Sequence, residues 1–82
     1  MKSHKKYQIE YNDWHPADII SAVKKTGTTI AALSREHGLA SSTLGNTLYR
    51  KWPRGEKIIA EHLSIPASEI WPSRYNKAAN RG

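Results

Sequence analysis

The sequence predicts an all-α fold of four or five short helices around one core. Apolar residues recur at helical spacing in successive short stretches between Pro16 and Trp71, and glycines and prolines punctuate those stretches. No segment alternates apolar and polar residues with period two over a useful length, so no sheet is expected. The expected ordered unit is residues 13–75. A flexible, basic and aperiodic segment (residues 1–12) precedes it and a flexible polar tail (residues 76–82) follows it.

The first helix lies in "DWHPADIISAVKKTG". Pro16 suits an early helical position, and Ile19, Ile20 and Val23 share one face. Lys24 and Lys25 fall in the last turn, where cations oppose the helix dipole, and Gly27 supplies the stop. Thr28 or Thr29 can cap the second helix, whose apolar positions are Ile30 and Leu33 and which ends at Gly38. Ser41 or Ser42 can cap a third, with Leu44 and Leu48 as an i, i+4 pair. A fourth helix starts at Pro53, turns Ile58, Ile59 and Leu63 inward, and is kept from continuing by Pro66. A short last helix, "ASEIW", closes the core with Ile70 and Trp71 before Pro72 stops it.

Composition narrows the function. The chain has 82 residues, the length of one small domain, and 38% are hydrophobic. A chain of this size buries only roughly 60% of the surface its unfolded form exposes, so a partner could matter to its stability. Thirteen Lys and Arg against seven Asp and Glu give a net charge of +6, which favours nucleic acid or an anionic surface as partner. The absence of cysteine excludes disulfides and thiolate metal sites. No apolar run approaches the roughly 18 residues of a spanning helix, and the basic start does not lead into a signal-peptide apolar region. The expectation is a soluble, cytoplasmic protein without membrane contact.

The stretch "LSREHGLASSTLGNTLYR", Leu33 to Arg50, concentrates the functional signal. Two short helices joined near a glycine match a helix-turn-helix, with Leu33, Leu39 and Leu44 sealing the pair from inside and Gly38 permitting a turn at positive φ. An ordinary helical hairpin fits the same spacing. At 100° per residue, the side opposite Leu44 and Leu48 presents Ser42, Thr43, Asn46, Tyr49 and Arg50. Compact hydrogen-bonding groups and a guanidinium suit base edges and phosphates in a major groove, although polar residues face water on any small helix. Arg50, Lys51, Arg54 and Lys57 follow with only Glu56 opposing them, a patch suited to phosphates or simply a solvated charged face. Backbone N–H groups near Thr28 and Thr29 offer another phosphate position. Arg35 either assists there or pairs with a neighbouring carboxylate. Ser41 completes the candidate DNA-contacting set.

Other chemistry is poorly supported. His4, His15, His37 and His62 lack metal-ligand spacing, and no carboxylate pair or phosphate-cradling glycine loop accompanies them, so neither an enzyme nor a cofactor or metal is expected. His37 reads as a partly buried helix residue rather than a base. Trp52 reads as a packing staple before Pro53, and Trp14, Trp71 and Tyr75 as core or core-edge residues rather than a stacking array for single strands. The competing class is an RNA-binding or protein-docking helical module. The first would prefer single-stranded RNA over duplex DNA, and the second would bind a protein with little salt dependence.

With these elements in place, Asp13 to Tyr75 resembles the Ner family of small phage-type DNA-binding regulators. The most specific pieces are "WHPADI", "LSREHGLASSTL", "WPRGE" and "IWPSRY". The resemblance implies a lambda-repressor-like helix-turn-helix fold. It also implies a transcriptional regulator, commonly a repressor, acting on double-stranded operator DNA in a phage, prophage or bacterial genome, and so a cytoplasmic protein associated with the bacterial nucleoid when bound to DNA. Carried onto this chain, the reading helix is Ser42 to Arg50, with Arg54 and Lys57 where the family's basic linker approaches DNA. Gly45 lies inside that helix, where glycine costs about 1 kcal/mol relative to alanine; close approach to DNA would explain it. Homodimerisation on DNA stays open, since no long heptad marks a dimer seam.

Overall fold

The computed structural model describes residues 12–75; the expected basic segment up to Tyr11 and the tail from residue 76 lie outside the described residues. Within them, α1 (Pro16–Lys25) and α2 (Ile30–Glu36) are followed by a 3₁₀ helix (Leu44–Leu48), and then by α3 (Pro53–Leu63), α4 (Ala67–Ile70) and α5 (Pro72–Tyr75). No strand occurs among the described residues.

The helix ends follow local chemistry. Pro16 opens α1, where its missing N–H is no loss, and His15 caps it, Nδ1 accepting the Ala17 N–H at 3.0 Å. Thr29, rather than Thr28, caps α2 through a 3.0 Å bond from Ala32 N–H to its hydroxyl. Gly38 sits at φ +74°, the left-handed turn the sequence required, while His37 is exposed at the end of α2 instead of partly buried. Two expected stops work differently. Helix α3 ends at Ser64, a non-glycine residue at φ +60°, before Pro66 is reached. Pro72 does not simply terminate the chain's helical structure: it opens α5 as well as breaking from α4.

The core gathers one face from each of α1 to α4 and from the 3₁₀ helix. Ile19, Leu33, Leu44, Leu48, Ile58, Ile59, Ala60, Ile70 and Trp71 form its buried centre, and Trp14, Leu39, Trp52 and Leu63 pack around it. Each fully buried leucine or isoleucine is worth about 1.5–3 kcal/mol of transfer free energy, which a domain this small needs. Long-range bonds close the two ends. Trp14 N–H donates to the Ile70 carbonyl at 2.9 Å, and the Asp13 carboxylate accepts the Ser73 N–H at 2.9 Å and the Ser73 hydroxyl at 2.6 Å. Asp13 thereby caps α5 from the far end of the sequence. Thr26 and His62, 2.8 Å apart, tie the end of α1 to α3.

Candidate nucleic-acid interface

The element expected to read DNA is shorter and tighter than the helix predicted over Ser42 to Arg50. Its regular part is the 3₁₀ helix Leu44–Leu48, with turns on either side, and neither Ser41 nor Ser42 caps it: Thr43 holds the cap position without a side-chain bond. Gly45, Asn46 and Thr47 are all weak α-helix formers, which favours the short i→i−3 pattern. Backbone bonds of 3.1 Å run from Asn46 N–H to the Thr43 carbonyl and from Tyr49 N–H to the Asn46 carbonyl.

This geometry reorders the faces. Residues three apart eclipse one another in a 3₁₀ helix, so Thr43, Asn46 and Tyr49 form one row and Leu44 and Thr47 another. The second row is buried, Leu44 and Thr47 both at 0% exposure, and Leu48 is buried beside it. Asn46 is exposed, Tyr49 is 74% exposed, and Thr43 is half-buried at the start of the row. The polar face expected from α-helical spacing is therefore open, as a narrower line of groups.

The element is seated by a residue that the sequence did not single out. Ser34, fully buried on α2, donates its hydroxyl to the Ala40 carbonyl at 2.5 Å and accepts the Leu44 N–H at 3.1 Å, while its own carbonyl accepts the Leu39 N–H at 3.0 Å. One serine thus joins α2, the turn and the first residue of the 3₁₀ helix. Ser34→Ala should cost about 1–3 kcal/mol in urea denaturation, because the buried Leu44 N–H is left without a partner. An unchanged unfolding midpoint would mean that the turn is held by packing alone.

Hydrogen bonds tie two of the remaining candidates to the turn after α2. Arg35 on α2 bonds the exposed Ser41 hydroxyl at 3.0 Å rather than a carboxylate. Ser42, Arg50, Lys51, Arg54 and Lys57 are exposed. Arg54 reaches back to the His37 carbonyl at 3.5 Å, which places the start of α3 beside the turn after α2. Lys57 lies 4.0 Å from Glu61 in an exposed pair of little energetic weight, and Arg50, Lys51 and Arg54 make no ion pair with another described residue. Thr28 is half-buried and the Thr29 hydroxyl is engaged as a cap, so only their backbone groups suit a phosphate.

Glu56, the one acid within the basic run, does not offset the patch. Its side chain is fully buried and accepts the Trp52 N–H at 2.9 Å, Arg74 Nη1 at 3.0 Å and the Tyr75 hydroxyl. Burial pushes its carboxyl up, but the bonds from Tyr75, the Trp52 backbone and Arg74, together with the Arg74 charge, outweigh that and hold it below the usual carboxylate range. Burial, and then the bond to Glu56 and its charge, lift the Tyr75 phenol to about 12. The charge of Glu56 is answered inside the fold, and Arg50, Lys51 and Arg54 keep theirs for the surface.

This geometry can be set against known proteins. The family model described as winged helix-turn-helix DNA-binding matches residues 13–82. The negative regulator of transcription of Escherichia phage Mu is 52% identical over 63 residues, 77% of this chain and 84% of that protein. The solution NMR structure of the Mu Ner protein aligns with a TM-score of 0.69 at 51% identity, covering 79% of this chain and 88% of that one. The chain belongs to the Ner family. Sugar fermentation stimulation protein B of Escherichia coli K12 is also similar, 59% identical over 69 residues, 84% of this chain and 75% of that protein. The Ner family comprises helix-turn-helix DNA-binding regulators and not enzymes, as expected from the motifs. The wing in the family description has no counterpart among the described residues, which contain no strand. No helix among them is long and apolar enough to cross a membrane.

Proposed function

We propose that the protein is a transcriptional repressor of phage or prophage type that binds duplex operator DNA sequence-specifically, using residues 13–75. The row of exposed Asn46 and Tyr49, with half-buried Thr43 at its start, carries this reading: it stands on the second element of a helix-turn-helix and is followed directly by cations whose charge the fold leaves uncompensated. In a major groove, Asn46 has the amide geometry to pair with an adenine edge, and Ser42, Thr43 and Tyr49 reach neighbouring bases or phosphates. Arg50, Lys51, Arg54 and Lys57 hold phosphates beside this row. Ser41 with Arg35, beside the same turn, and the backbone N–H groups at Thr28 and Thr29, at the start of α2, hold others. The protein acts in the cytoplasm, on the nucleoid, where such operators lie. The repressor assignment draws on the Mu relative, a negative regulator of transcription.

Reading and anchoring separate experimentally. Asn46→Ala should lose about 1–3 kcal/mol on the preferred duplex and much less on random duplex, because a base-edge contact carries sequence information. Arg54→Ala should weaken both duplexes alike and lower the slope of log affinity against log salt by about one unit. Selection of duplexes from a random pool supplies the preferred site, and a palindrome with half-sites about one DNA turn apart would identify binding as a pair. If neither substitution affects duplex binding while circular dichroism shows both variants folded, the 3₁₀ row is not the reading surface.

A further inference from the structure

The buried carboxylate of Glu56 lies outside the helix-turn-helix yet controls the backbone on which its phosphate-binding cations stand. Glu56 and Trp52 bond reciprocally: Glu56 N–H donates to the Trp52 carbonyl at 2.9 Å, and Trp52 N–H donates to Glu56 Oε2 at 2.9 Å. The peptide group is planar, so holding the Trp52 N–H also sets the Lys51 carbonyl and the Lys51 Cα, the atom from which that side chain leaves. Holding the Trp52 carbonyl sets the first turn of α3, which carries Arg54. A carboxylate at a helix start needs no more than this to be stabilising.

Here it has two further partners from α5, at the other end of the described chain. Arg74 donates to Oε2 at 3.0 Å and the Tyr75 hydroxyl donates to Oε1. The Arg74 guanidinium lies 5.0 Å from the ring centroid of Trp71, which is only 1% exposed. The chain from Lys51 to Arg54 is thus referenced to the core through α5. We infer that Glu56, Arg74 and Tyr75 form a positioning latch that fixes Lys51 and Arg54 where they meet DNA phosphates, making α5 a determinant of DNA affinity. This rests on the reading of Lys51 and Arg54 as phosphate contacts given above.

The test measures the full chain against preferred and random duplex over a range of salt concentrations, with folding checked by circular dichroism. Tyr75→Phe keeps the ring and removes only the bond to Glu56; Glu56→Gln removes the charge. Both substitutions should weaken both duplexes roughly three- to tenfold and lower the salt slope by about one unit, the signature of a lost phosphate contact. In a Lys51→Ala/Arg54→Ala background, Tyr75→Phe should have no further effect on binding, because residues acting as one unit are not additive. Variants that melt earlier but bind with wild-type affinity and salt slope would overturn the latch and leave a purely structural cluster. A loss of the same size in both backgrounds would also overturn it, since Tyr75 would then act elsewhere. If Glu56→Gln does not fold, Tyr75→Phe decides alone. If Lys51→Ala/Arg54→Ala binds as tightly as the unsubstituted chain, the phosphate reading fails and the latch falls with it, a result distinct from failure of the latch alone.

Discussion

Leu44→Ala should destabilise the protein by about 2–5 kcal/mol, among the largest effects of any single truncation in this fold. Leu44 is at 0% exposure, heads the 3₁₀ helix, and donates its N–H to the buried Ser34 hydroxyl. Removing the side chain opens a cavity where α2 and the 3₁₀ helix meet, and the Ser34 bonds prevent those elements from closing over it. In urea denaturation the midpoint should fall with an unchanged slope, as expected when stability changes but the surface exposed on unfolding does not. A midpoint that hardly moves would place Leu44 outside the core and reverse the facing of the 3₁₀ helix. Since an alkyl truncation removes no group from the open row, the variant should keep its sequence preference at temperatures where it stays folded.

Gly55→Ala should also destabilise, by about 1–3 kcal/mol or more, although alanine is the better helix former by about 1 kcal/mol. Gly55 is buried in the first turn of α3, and a Cβ there would come within 2.0 Å of Thr47 Oγ1 and 2.5 Å of Trp52 Cε3. Thr47 is itself at 0% exposure, so it has nowhere to withdraw without shifting the 3₁₀ helix. Gly45 makes the matched control. Nothing lies within 4 Å of a Cβ placed there, and alanine should stabilise the free protein by about 0.4–1 kcal/mol. Thermal melts of the two variants should therefore move in opposite directions. If Gly55→Ala raises the melting temperature, α3 and the 3₁₀ helix pack less closely than the distances indicate. If Gly45→Ala stabilises the protein but weakens duplex binding, the glycine serves close approach to DNA.

Much of the fold is legible in local sequence. Pro16 opens α1, Thr29 caps α2, Gly38 takes its left-handed turn, Pro53 opens α3, and Leu33, Leu44, Ile58, Ile59, Ile70 and Trp71 face inward as their spacing requires. These features depend on residues within a turn or two of one another, the range over which helical periodicity and capping act. The candidate site is legible to the same extent: Asn46, Tyr49, Arg50, Lys51 and Arg54 stand exposed together because they share a short segment with the apolar face turned in. Family membership also follows from motifs readable along the chain.

What the sequence by itself determined was therefore the all-α class, most helix limits, the inward residues and the kind of surface left open. Only the tertiary structure decided that the element after the turn is a 3₁₀ row, that Ser34 seats it, that Gly55 lets Thr47 come close, that Asp13 caps α5, and that Glu56 is silent in the surface charge. Leu44 bonds Ser34 from 10 residues away, Arg74 and Tyr75 reach Glu56 from 18 and 19, and Ser73 reaches Asp13 from 60. A carboxylate in a basic run or a serine on a helix has the same local signature whether it faces water or the interior. Its role is set by desolvation and by partners that arrive only when distant turns pack together, and no periodicity along the chain encodes that meeting.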